Sequence, residues 1–378
     1  EVDTVEGDVS SSNTAAVFCA RCRTRAETVR SREPVSADPV CVACGQPIRR
    51  SSSSGAFGQT QLCAKCRNNS DRVLDYASQL EGLSPDSALG RYRVLEKLGH
   101  GGMGAVYKAE SKTNGDIVAL KVMLPEVAVN AKNVDLFLRE SDVTRVLDHP
   151  NVVKLYDSGY ERGIFYLCMR YCNGGSVEQR IEDAGGELPV AEAVGITLQV
   201  LDALDYAHNR VTTPVQDESG KSSQVTGIVH RDVKPKNILI DTDSGGTKAL
   251  LCDFGLSKAF DLAGLSGLTC TGSVAGSPVY MPRQQIVNFK YSRPEVDVWA
   301  TAASLYHMLT GTFPREFDKQ ADPWRTVLET SAIPIRNRNP RVPEPLAAVI
   351  DRALVDRPEI RIKNARALRD QLSSLTLN

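Results

Sequence analysis

One stretch constrains this chain more than any other: Ile228-Val229-His230-Arg231-Asp232-Val233-Lys234-Pro235-Lys236-Asn237-Ile238-Leu239-Ile240, followed shortly by Cys252-Asp253-Phe254-Gly255. Apolar, β-branched runs flank a short polar loop, so a buried framework must hold that loop in place. Within it, Asp, Lys and Asn at fixed offsets bring a base, a cation and a metal ligand together. Those are the parts that phosphoryl transfer requires.

The stretch resembles the catalytic and metal-binding loops of the protein kinases, and His-Arg-Asp-x-Lys-x-x-Asn is the serine/threonine form of that motif. Upstream, the strand pattern Tyr92 to Leu98 runs into Gly99-His100-Gly101-Gly102-Met103-Gly104, and Val106-Tyr107-Lys108-Ala109 continues as a strand. A glycine pattern of this kind also occurs in dinucleotide-binding folds, but there it opens a helix. Here a second apolar strand carrying Lys121 follows, as in the kinase glycine-rich loop, whose small residues admit ATP phosphates to backbone amides. The resemblance implies an ATP site lined by Leu98, Gly99, His100, Gly101, Gly102, Met103, Gly104, Val106 and Ala119, with Lys121 neutralising phosphate. It also implies that Met169 sets the depth of the adenine pocket and that Cys172 presents its backbone to adenine. Glu140, on a helical pattern from Val134 to Leu147, would be the ion-pair partner of Lys121. Arg170 stands where the family usually has glutamate, a change expected to alter surface charge more than catalysis.

By the same resemblance, Asp232 accepts the proton of the substrate hydroxyl and Lys234 steadies the transferring phosphate, while Asn237 and Asp253 hold magnesium. Arg231 beside the base suits a phosphate on the segment from Gly255 to about Arg283. Thr269 and Thr271, placed just before Gly276-Ser277, are similar to the autophosphorylation pair of bacterial (Hanks-type) serine/threonine kinases, as is the wording of the glycine-rich loop. Where the family ends this segment with Ala-Pro-Glu, the chain has Pro282-Arg283-Gln284. An amide thus replaces the glutamate expected to pair with a later arginine, here Arg361, which predicts a less firmly anchored segment. Between the helical run Ala191–His208 and the catalytic loop, the polar residues 211–226 read as an inserted surface loop.

Residues 1 to about 88 differ from the rest. They hold six of the ten cysteines, little apolar periodicity and the run Ser51-Ser52-Ser53-Ser54-Gly55. The cysteines form three C-x-x-C pairs, Cys19/Cys22, Cys41/Cys44 and Cys63/Cys66, with 18 residues between successive pairs. Two such pairs match a zinc ribbon, in which four thiolates on one tetrahedral ion replace a missing core. Gly45 after Cys44 favours Cys41, Cys44, Cys63 and Cys66 as the tetrad. Cys19 and Cys22 are then left over, and with no histidine before His100 a second site would need carboxylates or a second chain. Disulfides do not suit a chain whose remainder resembles an ATP-using intracellular enzyme, and a thioredoxin-like redox pair would need a βαβ context that is absent.

The expected organisation is a zinc-ribbon-like module over 1–70, a linker with a helical pattern over 71–90, and an α+β bilobal kinase domain over 91–375, with a small β-rich lobe and a mainly helical one. ATP, Mg²⁺ and Zn²⁺ are the expected cofactors, and proteins with Ser/Thr acceptors the expected substrates, with partner docking through the zinc module. A net charge of −1 gives no global pull toward nucleic acid. No run approaches the roughly 20 apolar residues that span a bilayer. A soluble, cytoplasmic protein is therefore expected, and the start at Glu1 suggests a processed or excised chain. A pseudokinase scaffold, with the ribbon binding protein or nucleic acid, is the alternative, and only the altered Pro282-Arg283-Gln284 favours it.

Overall fold

Apolar strands buried in a sheet organise the first part of the fold. The computed structural model describes residues 89–376 apart from 102–103, 124–133, 135–136, 139–140, 143, 162–163, 217–221, 244–245, 255–277, 290–291 and 319. The expected cysteine module with Cys19, Cys22, Cys41, Cys44, Cys63 and Cys66, the linker pattern, and Gly102, Met103, Glu140, Thr269 and Thr271 lie outside the described residues.

Strands β1 (Tyr92–Gly101), β2 (Gly104–Ser111), β3 (Ile117–Met123), β4 (Leu155–Glu161) and β5 (Ile164–Arg170) form one antiparallel sheet in the order β1-β2-β3-β5-β4. Successive side chains of a strand point to opposite faces. Val118, Leu120 and Val122 of β3 accordingly join Tyr107, Ile164, Tyr166 and Cys168 in one apolar cluster. Met123 joins Phe137, Phe165, Leu167 and Met169 in another. Burial on both faces is why β5 reads as an unbroken apolar run rather than an alternating one. Phe137, Leu138, Ser141, Thr144 and Arg145 are helical, and Phe137 packs its ring 4.5 Å from that of Phe165.

The second part is mainly helical. Helices α1 (Val177–Asp183), α2 (Val190–Asn209), α3 (Arg283–Val287), α4 (Glu295–Thr310), α5 (Pro323–Glu329), α6 (Glu344–Ala353) and α7 (Ala365–Ser373) follow in chain order. Helices α2 and α4 carry the centre of its core, with Leu201, Leu204, Trp299 and Tyr306 fully buried. Two hairpins interrupt the helices, β6 (Thr212–Gln216) with β7 (Ser222–Thr226), and β8 (Ile238–Asp243) with β9 (Gly246–Leu251).

The first of these hairpins corrects the expectation of an irregular loop over 211–226. Thr212 pairs with Thr226 and Gln216 with Ser222. The turn formers that suggested a loop fall between Asp217 and Lys221, whereas β-branched residues recur on either side and favour extended pairing. At its base Gly227 adopts φ +101°, and a Cβ there would lie 2.6 Å from the carbonyl oxygen of His208. Only glycine lets the chain pass that close to the end of α2 on its way into the catalytic loop.

Candidate active site

The loop from His230 to Asn237 is held from below by Asp297, in the first turn of α4. Its fully buried carboxylate accepts the backbone N–H of His230 at 2.8 Å and of Arg231 at 2.7 Å, and faces His208 Nε2 at 2.8 Å. Burial alone would raise this carboxyl, but the hydrogen bond from His208 and those from the loop backbone hold it below the usual carboxylate range. These bonds fix Arg231 at φ 69°, a left-handed conformation that a non-glycine residue keeps only when its surroundings impose it. The side chain of Gln285 in α3 completes the grip by donating to the Arg231 carbonyl at 2.6 Å.

The His230 ring donates from Nε2 to the Cys252 carbonyl at 2.7 Å and accepts the Asp232 N–H at Nδ1, 3.2 Å away. Its edge meets Phe254 at 4.7 Å between centroids. The Asp232 carboxylate is flanked by Lys234 Nζ at 2.8 Å and by Asn237 Nδ2 at 2.9 Å, and the same Asn237 amide reaches the Asp232 carbonyl at 2.8 Å. Asn237 sits at the end of a 3₁₀ turn, Pro235–Asn237, and its carbonyl accepts the N–H of Cys252 at 2.9 Å. The loop is thereby tied to the strand end that presents Asp253.

Asp253, also left-handed at φ 63°, meets Lys121 Nζ at 2.7 Å. Burial opposes charge on both groups, yet their mutual attraction prevails, holding the Lys121 ammonium above its usual range and the Asp253 carboxyl below. With 16% and 20% of the two side chains exposed, the pair remains open to a ligand. The β3 register sets Val106 opposite Lys121 and Ala119 opposite Met169. Gly101 of β1 pairs with Gly104 of β2, with Gly99 and His100 also in β1 and Leu98 partly exposed. Ala119, Met169 and Cys172 are buried, and burial pushes the Cys172 thiol up to about 12. Asp232, Lys234, Asn237, Asp253 and Lys121 therefore form one linked group beneath this sheet, while Glu140, Gly102, Met103, Thr269 and Thr271 are outside the described residues.

Two expectations change. Arg170 is not a free surface charge: its guanidinium meets Asp241 of β8 at 2.6 Å, across the junction of the two lobes. The end of the activation segment is not weakly held either. Arg283 and Arg315 converge on the buried carboxylate of Asp356, the Arg315 contact being 2.6 Å, and Arg315 also lies 4.6 Å over the Trp299 ring. Gln284 donates to the Asp356 carbonyl at 2.7 Å, while Arg361, exposed, takes no part. In place of the neutral Gln284–Arg361 contact that was expected, a charge pair stands one residue earlier, with Arg283 as the cation. Asp356, Arg315 and Gln285 carried no local sequence signal, because their partners lie 41 to 73 residues away.

A family model described as "Protein kinase domain" matches residues 92–372. The chain is 32% identical over 285 residues to a probable serine/threonine-protein kinase of Clostridium perfringens, covering 75% of this chain and 38% of that protein. It is 32% identical over 276 residues to the serine/threonine-protein kinase PrkC of Bacillus subtilis, covering 73% of this chain and 39% of PrkC. The chain thus spans under two fifths of the length of these relatives. Among solved structures, the PknI kinase domain of Mycobacterium tuberculosis matches with a TM-score of 0.55 at 26% identity, covering 77% of this chain and 98% of that one.

Proposed function

This chain belongs to the protein kinase family, and from that premise we propose that it transfers the γ-phosphate of ATP to serine and threonine hydroxyls of proteins. The observation that carries the reading is the linked group itself: Asp232 flanked by Lys234 and Asn237, and Asp253 paired with Lys121, joined through the Asn237–Cys252 backbone bond.

In this reading Asp232 orients the acceptor hydroxyl and takes its proton, and Lys234 stabilises charge on the phosphoryl group in transit. Lys121 holds phosphate oxygens of ATP, and Val106, Ala119, Met169 and Cys172 enclose the adenine, with Leu98 and the Gly99–Gly104 run above it. The Asn237 amide nitrogen is spent on Asp232, which leaves its oxygen as a hard ligand, and with the Asp253 carboxylate it makes a donor set of the kind that magnesium takes. When bound, magnesium would neutralise the phosphate oxygens. Glu140 is the further partner assigned to Lys121.

Autophosphorylation at Thr269 and Thr271 is part of the proposal. Its support is the buried Arg231 Nε, which has no hydrogen-bond partner among the described residues and could receive phosphate. A zinc module over 1–70, held by Cys41, Cys44, Cys63 and Cys66, with docking of protein partners, rests on cysteine spacing alone. Among the described residues no helix is long and apolar enough to cross a membrane. The test is incubation with γ-labelled ATP, Mg²⁺ and a protein acceptor, followed by mapping of phosphorylated residues and zinc analysis. Transfer to Ser/Thr, phosphate on Thr269 or Thr271 and about one zinc per chain are expected. Absence of any transfer would remove the kinase reading.

A further inference from the structure

The peptide unit between Arg231 and Asp232 is gripped at both ends. Its N–H, on Asp232, is received by His230 Nδ1 at 3.2 Å, and its carbonyl, on Arg231, receives the Gln285 Nε2 amide at 2.6 Å. The first contact comes from within the catalytic loop. The second comes from a residue 54 positions away, on the short helix that follows the activation segment. Gln285 is 1% exposed, so its amide is committed to this bond at the expense of hydration, and an apolar side chain would leave the Arg231 carbonyl without that donor. Rotation of this peptide unit changes ψ of Arg231 and φ of Asp232, and it would turn Asp232 away from Lys234 and Asn237.

Helix α3 is itself seated independently of the catalytic loop. Its first residue, Arg283, donates backbone and side-chain N–H groups to Asp356 and also reaches the carbonyls of Leu328 and Thr330. Arg315 closes the same cluster through Asp356 and the Met281 carbonyl. The seat of α3 therefore depends on contacts to distant segments of the chain, while one side chain on it reaches the backbone beside Asp232.

We propose that Gln285 is a positioning residue for Asp232, coupling the seating of α3 to the backbone geometry of the catalytic loop. The role rests on the kinase reading above. It acts on the rate of transfer rather than on ATP binding, since neither Gln285 nor Arg231 belongs to the group that holds nucleotide.

The experiment compares wild type with Gln285→Leu and Gln285→Glu, measuring kcat and KM for ATP and the thermal midpoint of each. Gln285→Leu is expected to lower kcat by about tenfold with KM for ATP unchanged. Gln285→Glu keeps the shape, but as a carboxylate it cannot donate; protonated, it can. Its kcat relative to wild type is therefore expected to rise as pH is lowered from about 8 to 6, a recovery that loss of packing alone does not produce. Wild-type kcat in Gln285→Leu, or a pH-independent ratio in Gln285→Glu, overturns the positioning role and leaves the kinase reading standing. Inactive wild type overturns both.

Discussion

Replacing Asp356 with alanine removes the carboxylate shared by two guanidinium groups, of which Arg315 is 0% exposed and Arg283 9%. Burial lowers Arg315 to about 10, so it stays protonated at neutral pH and would be left buried without its counter-charge. Breaking a buried pair in this way costs about 3–5 kcal/mol. Against a total stability of about 5–15 kcal/mol for a folded domain, that is a large fraction. With a urea dependence of about 3 kcal/mol per molar, the unfolding midpoint should fall by roughly 1–1.7 M. Trp299 lies beneath Arg315, so its fluorescence reports the transition from within the cluster. Arg283→Met is the control: it leaves Asp356 with Arg315 and should cost less, about 1.5–3 kcal/mol. A midpoint for Asp356→Ala within about 0.3 M of wild type, or a larger loss for Arg283→Met, would refute the view that this carboxylate anchors the segment.

Two further outcomes follow from the same electrostatics. Asp297 has a folded pKa below its unfolded one, so its stabilisation is complete above the unfolded value of about 4 and is lost as pH falls through the folded one. Asp297→Asn should cost about 1.5–3 kcal/mol near pH 7, because one of the three groups it receives would face an NH2 donor and the others lose charge assistance, with a gap from wild type that narrows in acid; urea titrations across pH would contradict this by showing a constant gap. Burial pushes the thiols of Cys168 to about 11 and Cys172 to about 12, and raises Cys252, so all three should resist alkylation at about pH 8 until the protein unfolds. Mass spectrometry finding Cys172 modified in the native protein would count against that.

Residue type and spacing were enough to read the sheet, the glycine-rich run and the catalytic loop, because those features are local. The apolar runs at β3 and β5 and the polar interval from His230 to Asn237 each carry their own physical signature. The clamp on Asp356 does not. It joins Arg283, Arg315 and Asp356 from three separate elements, and nothing in Pro282-Arg283-Gln284 announces that the cation will replace the missing glutamate. The Arg170–Asp241 pair was illegible for the same reason, since the two residues lie 71 positions apart. The hairpin over 212–226 was hidden by its turn, whose polar residues dominate the local composition.

The central claim is that Asp232, set between Lys234 and Asn237, performs the proton transfer of a phosphotransferase. Its most direct test is single-turnover phosphate transfer from labelled ATP by wild type and Asp232→Asn, with urea midpoints and KM for ATP measured alongside. The prediction is a fall in rate of roughly 10² or more, with KM for ATP and the midpoint close to wild type. A folded Asp232→Asn protein that transfers phosphate at the wild-type rate would contradict the account.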